Sequence, residues 1–185
     1  PAHVNFGKRV ECDYARAYAE AALGLKAAAG KGRLALLVSP MLPCEEACAL
    51  VKAVRALDEN AALAVGPVPV QGKDKVFPGG YTVHAEKCPN ARGVRRVLEA
   101  MAGGGGGKVL DFDGFSRALK AGEFAGVIIT GNYPSEWATE DLAGACAGKF
   151  TVLIDTLPNR LSARADIVLP GATWAEKAGV VENAK

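Results

Sequence analysis

The chain has 185 residues, half of them hydrophobic, and a formal net charge of only +2, which together predict one globular domain with a substantial core. Lys and Arg are spread along the chain and only 6% of the residues are aromatic, which argues against nucleic-acid binding, since that needs a basic stripe with interleaved aromatics. No apolar run approaches the roughly 20 residues of a membrane-spanning helix, so we expect no direct membrane insertion.

The N-terminal segment, residues 1–32, is predicted to be a helix, and residues 33–185 are predicted to form an α/β domain. Apolar residues recur at three- and four-residue steps in an Ala-rich stretch that ends at Gly30. The residues that carry this pattern are Val10, Tyr14, Ala21 and Leu25. The sequence begins without a secretory leader pattern and stops without a closing element, so we expect a fragment of a longer chain.

Short apolar runs alternate with amphipathic segments over the rest of the sequence. This alternation predicts a three-layer αβα domain around a mostly parallel sheet. Strands are predicted at 34–39, 62–66, 126–130, 150–154 and 167–169. Helices are predicted at 44–57, 91–101, 113–121 and 135–143, with Asn90 as the cap of the second of these.

The stretch 67–90 shows neither strand nor helix periodicity. It is rich in Pro, Gly, Lys and Asp, and an excursion of this length inside a compact domain is usually functional. We expect it to lie on the surface and to contact a partner, with Val76, Phe77 and Tyr81 as apolar anchors.

Two phosphate-binding motifs are approached but not matched. In the run GGGGGK at 103–108, Ala102 stands where a P-loop needs its first Gly and Val109 where it needs a hydroxyl. A helix, and not a strand, is predicted before this run, so we interpret it as a flexible linker. The first strand is followed by SPMLP, which offers no Gly for the close approach of a dinucleotide pyrophosphate. Binding of NAD is therefore not expected.

The cysteines and histidines form no recognisable site. Five cysteines, an odd number, show neither a disulfide framework nor the spacing of a zinc or iron–sulfur site. Cys44 and Cys48 lie four residues apart and are interpreted as half-buried thiols. His3 and His84 are isolated and expected at the surface, with no nucleophile elbow near them in sequence. The sequence therefore predicts no catalytic residue, no metal site and a reducing, cytoplasmic compartment.

Two loops at predicted strand ends are candidates for ligand binding. Gly131 and Asn132 follow one strand, and Asp155 and Thr156 follow the next. In open α/β sheets, ligands bind beyond the carboxyl ends of the strands. A small residue, an amide and a carboxylate there could grip a nucleotide base or the edge of a pterin. The same residue types also form ordinary turns and helix caps, and on chemistry alone this second interpretation is favoured.

The C-terminal region resembles the molybdopterin oxidoreductase superfamily. ADIVLPGATWAEK at 165–177, followed by Gly179 and Asn183, is similar to the family form A-D-V-V-L-P-x-A-T-x-A-E-K, then Gly and an Asn-rich turn. FAGVIITGNYP at 124–134 resembles the strand that ends in G-x-N-P, with Asn132 one place earlier. SPMLPCEEACAL at 39–50 and AEKCPNARG at 85–93 are similar to one branch, the G-type large subunit of bacterial NADH–quinone oxidoreductase (complex I).

This resemblance implies an αβα sheet of the formate dehydrogenase/DMSO reductase middle-domain type. It also implies a scaffold domain that contacts other subunits of the peripheral arm, at the cytoplasmic face of the inner membrane, while electrons pass from NADH to quinone. Iron–sulfur clusters are expected in an N-terminal part of the subunit that this sequence lacks. No cofactor is expected here, and Gly131, Asn132, Asp155 and Thr156 are vestigial pterin-loop candidates.

One alternative comes from the enzyme class. The same motifs occur in soluble molybdenum or tungsten oxidoreductases such as formate dehydrogenases, in which this domain helps to bind molybdopterin. Under that alternative the two strand-end loops would contact the pterin.

Overall fold

The fold, a computed structural model that describes residues 2–102 and 108–182, is built on a mostly parallel seven-stranded sheet with helices on both faces. The predicted α/β class is confirmed. The strands are β1 (Ala2–Asn5), β2 (Arg9–Cys12), β3 (Leu34–Val38), β4 (Ala62–Val65), β5 (Lys75–Val76), β6 (Thr82–Val83), β7 (Gly126–Thr130), β8 (Phe150–Asp155) and β9 (Ile167–Pro170). The helices are α1 (Tyr14–Ala29), α2 (Cys44–Leu57), α3 (Ala91–Met101), α4 (Phe112–Lys120) and α5 (Glu140–Ala145).

The strand order in the large sheet is β2-β1-β9-β8-β7-β3-β4. The five strands from β9 to β4 are parallel, and β1 pairs antiparallel with both β9 and β2. From β3 the chain crosses outward to β4, whereas from β7 it crosses the other way to β8 and then β9. The topological switch point therefore lies between β3 and β7, and their carboxyl ends open the crevice in which such sheets usually bind ligands.

The central strands are apolar on both faces because both faces are covered. Alternate residues of β3 serve opposite sides of the sheet, with Leu34, Leu36 and Val38 in the core layer under α1, α2 and α3. Ala35 and Leu37 belong to the second layer, which packs against α4 and α5. This two-sided burial explains why the strands appear in the sequence as continuous hydrophobic runs.

The prediction of a helix over the whole N-terminal segment is wrong for residues 2–12. These form the β1–β2 hairpin, which turns through Gly7 at φ +83° and joins the sheet edge beside β9. The helix begins at Tyr14, where the Asp13 carboxylate accepts a hydrogen bond from the Arg16 amide at 2.8 Å. Val10, which fits the helical spacing in the sequence, lies in β2. One apolar residue at that spacing is not enough to distinguish a helical turn from a short strand.

The other predicted elements agree with the structure to within one residue at each end, except for the last predicted helix. The predicted helix at 135–143 is wrong at its start: α5 begins only at Glu140, after the Thr139 side chain caps it. The four residues from 135 stay outside the helix because Trp137 turns inward to bond a strand-end carboxylate. Asn90 occupies the cap position of α3, but its side chain makes no capping bond.

The segment 177–182, here called the strap, runs across the N-terminal ends of α2 and α3. The Cys44 amide donates to the Val180 carbonyl at 2.9 Å, and the Val180 amide donates to the Glu45 carboxylate at 2.9 Å. The fully buried Asn90 accepts from the Glu182 amide at 2.6 Å and donates to the Leu42 carbonyl at 2.7 Å. Asn90 thus joins the strap to the loop before α2 instead of capping α3.

The stretch 67–90 is largely exposed, as predicted, and carries more regular structure than expected. β5 and β6 form a separate antiparallel pair, and a bridge joins Val70 to Glu86. Asp74 accepts from the Ala85 amide at 2.7 Å and bonds the His84 ring at 2.9 Å. These backbone and ring contacts hold the pKa of the Asp74 carboxyl below its usual value.

Two sequence features lie outside the residues that the structure describes. They are the glycine run 103–107, interpreted as a linker, and Asn183 of the C-terminal motif. Among the helices of the described ranges, none combines the length and the hydropathy needed to cross a bilayer.

Gly126→Ala is expected to lower the free energy of unfolding by about 1–3 kcal/mol. A methyl group there would lie 2.8 Å from the Ala28 Cβ and 2.9 Å from the Leu34 Cδ2, both in the packed core. The matched control is Gly144→Ala inside α5, where the nearest atom is 3.8 Å away. That change should be neutral or stabilising by up to about 1 kcal/mol. Urea unfolding followed by circular dichroism measures both, and equal stabilities would contradict the described packing of α1 on β7.

Candidate functional site

The four predicted ligand-loop residues lie together at the carboxyl edge of β7 and β8. Asp155 is buried, and its carboxylate accepts four hydrogen bonds. Oδ1 accepts from the backbone amides of Asn132 at 2.8 Å and Thr156 at 2.7 Å. Oδ2 accepts from the Trp137 indole at 2.9 Å and the Asn159 amide at 2.7 Å. The carboxylate therefore ties the loop after β7 to the loop after β8.

Gly131 is at this position because the Asp155 side chain leaves no room for a Cβ. A Cβ on residue 131 would lie 1.8 Å from Asp155 Oδ2. The next residue, Asn132, adopts a left-handed backbone at φ +70°, which few residues other than Gly tolerate. Two hydrogen bonds hold that conformation in place. The backbone amide of Asn132 donates to Asp155, and its side-chain amide donates to the Ala172 carbonyl at 3.0 Å. The loop is thus fixed on both sides by contacts within the protein.

The crevice at the switch point between β3 and β7 is filled by the ring of Tyr133. This ring is buried and its hydroxyl donates to the Pro67 carbonyl at 2.7 Å. Gly66 allows the approach, because a Cβ on it would lie 2.8 Å from the hydroxyl oxygen. Below the ring, Thr130 Oγ1 accepts from the Ser39 amide at 2.8 Å and donates to the Leu37 carbonyl at 3.1 Å. Burial raises the pKa of the Tyr133 hydroxyl, so it remains a neutral donor.

A shallow pocket of about 390 Å³ lies beside this edge. Its walls include Tyr133, Trp137, Leu157 and Asn159, with Asp155 at its base. The Tyr133 and Trp137 rings are 5.0 Å apart between centroids. The charged residues at the rim, Glu136 and Arg160, pair with each other at 2.7 Å. The Asp155 carboxylate and the two rim charges of this pocket are therefore already paired within the protein.

A second cleft, of about 440 Å³, lies between α1 and α2 over the ends of β8 and β9. Its lining is mostly apolar, and its polar members include Asn132, Tyr14 and the pair Glu46–Lys177. The Tyr14 hydroxyl donates to the Pro170 carbonyl at 2.8 Å, and Lys177 bonds Glu46 at 2.9 Å. Asn132 is the one predicted loop residue that reaches this cleft.

The cysteines and histidines are dispersed over the fold. In residues 2–102 and 108–182, no three His, Cys, Asp or Glu side chains are grouped so that they could hold a metal ion. Cys44 and Cys48 are half-buried, as predicted, and Cys44 contacts Asn90. His84 is not isolated, since it pairs with Asp74 on the 67–90 excursion.

Sequence reasoning located the loops of this edge but missed the residues that complete them. The sequence analysis did not identify Trp137 and Asn159, which donate hydrogen bonds to Asp155. It also did not identify Tyr133 as the residue that fills the crevice. An aromatic residue directly after Gly-Asn at the end of a buried strand was the available signal for Tyr133. Trp137 and Asn159 gave none, because their role depends on loop geometry.

Comparison with known proteins adds no family assignment: no protein-family model matches the chain, and no curated protein matches it significantly.

Asp155→Asn is expected to lower the free energy of unfolding by about 2–4 kcal/mol. The amide replaces one acceptor oxygen by a donor, which then faces donors that lose their partner. Asp113→Asn is the control, since Asp113 is exposed in the first turn of α4, and it should cost less than about 1 kcal/mol. Chemical unfolding of the two variants gives the comparison. Equal losses would mean that the four bonds to Asp155 do not hold the loops.

Cys88 and Cys146 are expected to react slowly with iodoacetamide at pH 8. Burial, together with the neighbouring Glu86 carboxylate, raises the pKa of the Cys88 thiol to about 12. Burial raises the pKa of the Cys146 thiol to about 11. Both therefore stay in the unreactive thiol form, because the thiolate is the nucleophile. Peptide mass spectrometry of native and urea-unfolded protein measures the rates, and rapid native labelling of either residue would contradict the described burial.

Proposed function

We propose that this domain is a non-catalytic scaffold in the peripheral arm of a respiratory NADH–quinone oxidoreductase, as part of its G-type large subunit. In that role it holds other peripheral-arm subunits at the cytoplasmic face of the inner membrane. Iron–sulfur clusters in another part of the same polypeptide carry the electrons from NADH towards quinone. The sheet is then of the formate dehydrogenase/DMSO reductase middle-domain type.

The motif resemblances support this proposal through their positions in the fold. The segment 124–134 covers β7 and its strand-end loop, and 165–177 covers β9 and the turn after it. The segment 39–50 leads into α2, and 85–93 leads into α3. The resembling segments thus gather around the carboxyl edge of the sheet and the two helix starts beside it. A shared cofactor-binding ancestor would leave its sequence traces at this edge.

One observation carries the scaffold role over the enzyme role: the polar groups at the carboxyl edge are engaged within the protein. Asp155 accepts four internal hydrogen bonds, and Tyr133 fills the crevice between β3 and β7. A ligand bound at Asp155, or in the place of the Tyr133 ring, would have to displace these contacts and leave buried groups unpaired, which costs about 1–3 kcal/mol for each group. An edge arranged in this way favours structural support over binding.

The excursion 67–90 supplies a surface for the subunits that a scaffold holds. Phe77 and Tyr81 are 46% and 57% exposed, with ring centroids 6.1 Å apart. Val76 is also exposed, on a strand pair that forms its own small sheet. Exposed aromatic and apolar side chains on a projecting element are typical anchors of protein interfaces.

The double variant Phe77→Asp with Tyr81→Ser, made in the full parent protein, should weaken assembly of the peripheral arm. The melting temperature should stay within about 2 °C of the unchanged protein, because exposed substitutions cost little stability. Leu23→Asp on α1, also an exposed apolar residue, is the control and should assemble normally. Blue native electrophoresis of membranes measures assembly. Normal assembly of the double variant would show that the excursion is not part of the docking surface.

The purified parent protein is expected to contain iron from its clusters and no molybdenum, tungsten or pterin. Elemental analysis, combined with fluorescence of the oxidised pterin after acid extraction, is the measurement. The reason lies in the carboxyl edge, where the polar groups of Asp155 and Tyr133 are already bonded within the protein. Stoichiometric molybdenum or tungsten with pterin would reject the scaffold proposal in favour of a molybdenum or tungsten oxidoreductase such as a formate dehydrogenase.

A further inference from the structure

A pocket of about 510 Å³ lies at the amino edge of the sheet, where the parallel strands begin. Its buried lining residues include Ala62 at the start of β4, Ala118 on α4 and Phe124 just before β7. A cavity of this volume is in the usual range for small-molecule sites. It lies at the opposite ends of the strands from Asp155 and shares no lining residue with the clefts described above. The pocket is therefore a separate feature of the fold.

Three cationic side chains from three separate segments line this pocket. Arg33 precedes β3, Arg117 lies in α4, and Lys108 precedes the segment that runs beside β4. Two residues after Lys108, the Leu110 amide donates to the Leu63 carbonyl at 2.9 Å, which fixes that segment against the strand. All three cations are exposed. Within residues 2–102 and 108–182, none of them belongs to an ion pair.

The pocket keeps an excess of positive charge. Its lining holds one carboxylate, Glu123, against three cations, so the excess equals the formal net charge of +2 of the whole chain. In the two clefts described above, by contrast, the charges pair internally, as Glu46 with Lys177 and Glu136 with Arg160. Like charges around one cavity repel each other, and an anion that enters relieves this repulsion. The pocket therefore favours a ligand with two negative charges.

The guanidinium group of Arg33 is already oriented for such a ligand. Its Nε donates to the Asn60 carbonyl at 2.6 Å, which fixes the plane of the group. In the part of the chain that the structure describes, no hydrogen bond engages its two terminal nitrogens. These nitrogens form a fork that matches two oxygens of a phosphate or a carboxylate. Because the fork is held in advance, less side-chain entropy is lost when an anion binds.

The dipole of α4 does not account for this cluster. A cation in the last turn of a helix is favoured by the helix dipole, and Arg117 and Lys120 both lie there. Lys120 also pairs with Asp141 at 3.0 Å and lies outside the pocket lining. Arg33 lies outside any helix, so the dipole of α4 gives no reason for its place beside Arg117. The shared feature of the three cations is the pocket itself.

We infer that this pocket binds a small phosphate monoester, with the phosphate group among Arg33, Lys108 and Arg117 and the organic part over the buried apolar lining. A phosphate monoester carries close to two negative charges above pH 7 and offers three acceptor oxygens. A single carboxylate carries one charge and two oxygens, so it satisfies fewer of the three cations. This inference goes beyond the scaffold function and does not rest on it.

The test is calorimetric titration of the full parent protein with phenyl phosphate, at pH 8 and low ionic strength. We expect saturable binding of one molecule per chain. Arg33→Gln and Arg117→Gln should each lower the affinity by about tenfold or more, since each removes a charged donor. Glu123→Gln should raise it by about twofold or more, because a repelling charge is lost. The control Lys120→Gln, which removes an equal charge from α4 outside the lining, should change the affinity by less than about twofold.

Several results would overturn the inference. Phenyl phosphate that does not saturate the protein would exclude the site, and equal losses in Lys120→Gln and Arg117→Gln would show a diffuse attraction of anions. Succinate that binds as tightly as phenyl phosphate would exclude preference for phosphate, and inorganic phosphate that does so would exclude the organic part. A pentaglutamate peptide that binds more tightly would assign the pocket to an acidic protein segment.

Folding and assembly are checked separately. Circular dichroism of each variant checks folding, and Lys108→Gln repeats the test at a third position. The Arg117→Gln variant should assemble normally in blue native electrophoresis of membranes. Loss of its assembly would place the pocket in a subunit interface and overturn the inference. Normal assembly without binding of phenyl phosphate would also reject the phosphate site, and it would leave the scaffold function standing.

Discussion

The conformation of the loops at the carboxyl edge of this sheet depends on the hydrogen bonds that the Asp155 carboxylate accepts. A buried carboxylate is tolerated only when its oxygens are satisfied, and here backbone amides from two loops, one indole and one side-chain amide do this. Satisfying these oxygens also constrains the neighbouring residues. It excludes a side chain at residue 131, holds Asn132 in a left-handed conformation and keeps Trp137 out of the following helix. One carboxylate thus determines the course of two connections that the sheet topology alone would leave free.

The same edge shows how polar and aromatic groups at the strand ends of a doubly wound sheet can take structural roles. A doubly wound sheet always forms a crevice where its strand order reverses. In this protein the crevice holds the Tyr133 ring, whose hydroxyl bonds the loop after β4. The ring therefore links β7 to β4 across β3.

The sequence was sufficient to predict features that depend on local pattern, and insufficient for those that depend on distant contacts. β3, α2 and β7 follow from unbroken hydrophobic periodicity, and their predicted positions agree with the structure. The β1–β2 hairpin could not be predicted in this way, because its strands are only four residues long. Its place in the sheet depends on the pairing of β1 with β9, far along the chain. In the candidate site, the loops could be located from strand ends. The role of Asp155 could not be predicted, since Trp137 and Asn159 reach it from irregular loops whose course the sequence pattern does not reveal.

The position of β1 in the sheet has a consequence for synthesis on the ribosome. β1 pairs with β9, so His3 and Val4 meet Val168 and Ile167 only after nearly the whole domain has been made. At cellular translation speeds this delay is on the order of ten to thirty seconds. Over that interval one edge of the amino-terminal hairpin carries unpaired backbone groups, the kind of template that recruits foreign strands. A nascent-chain chaperone that covers the hairpin during this interval would protect the domain from misassembly.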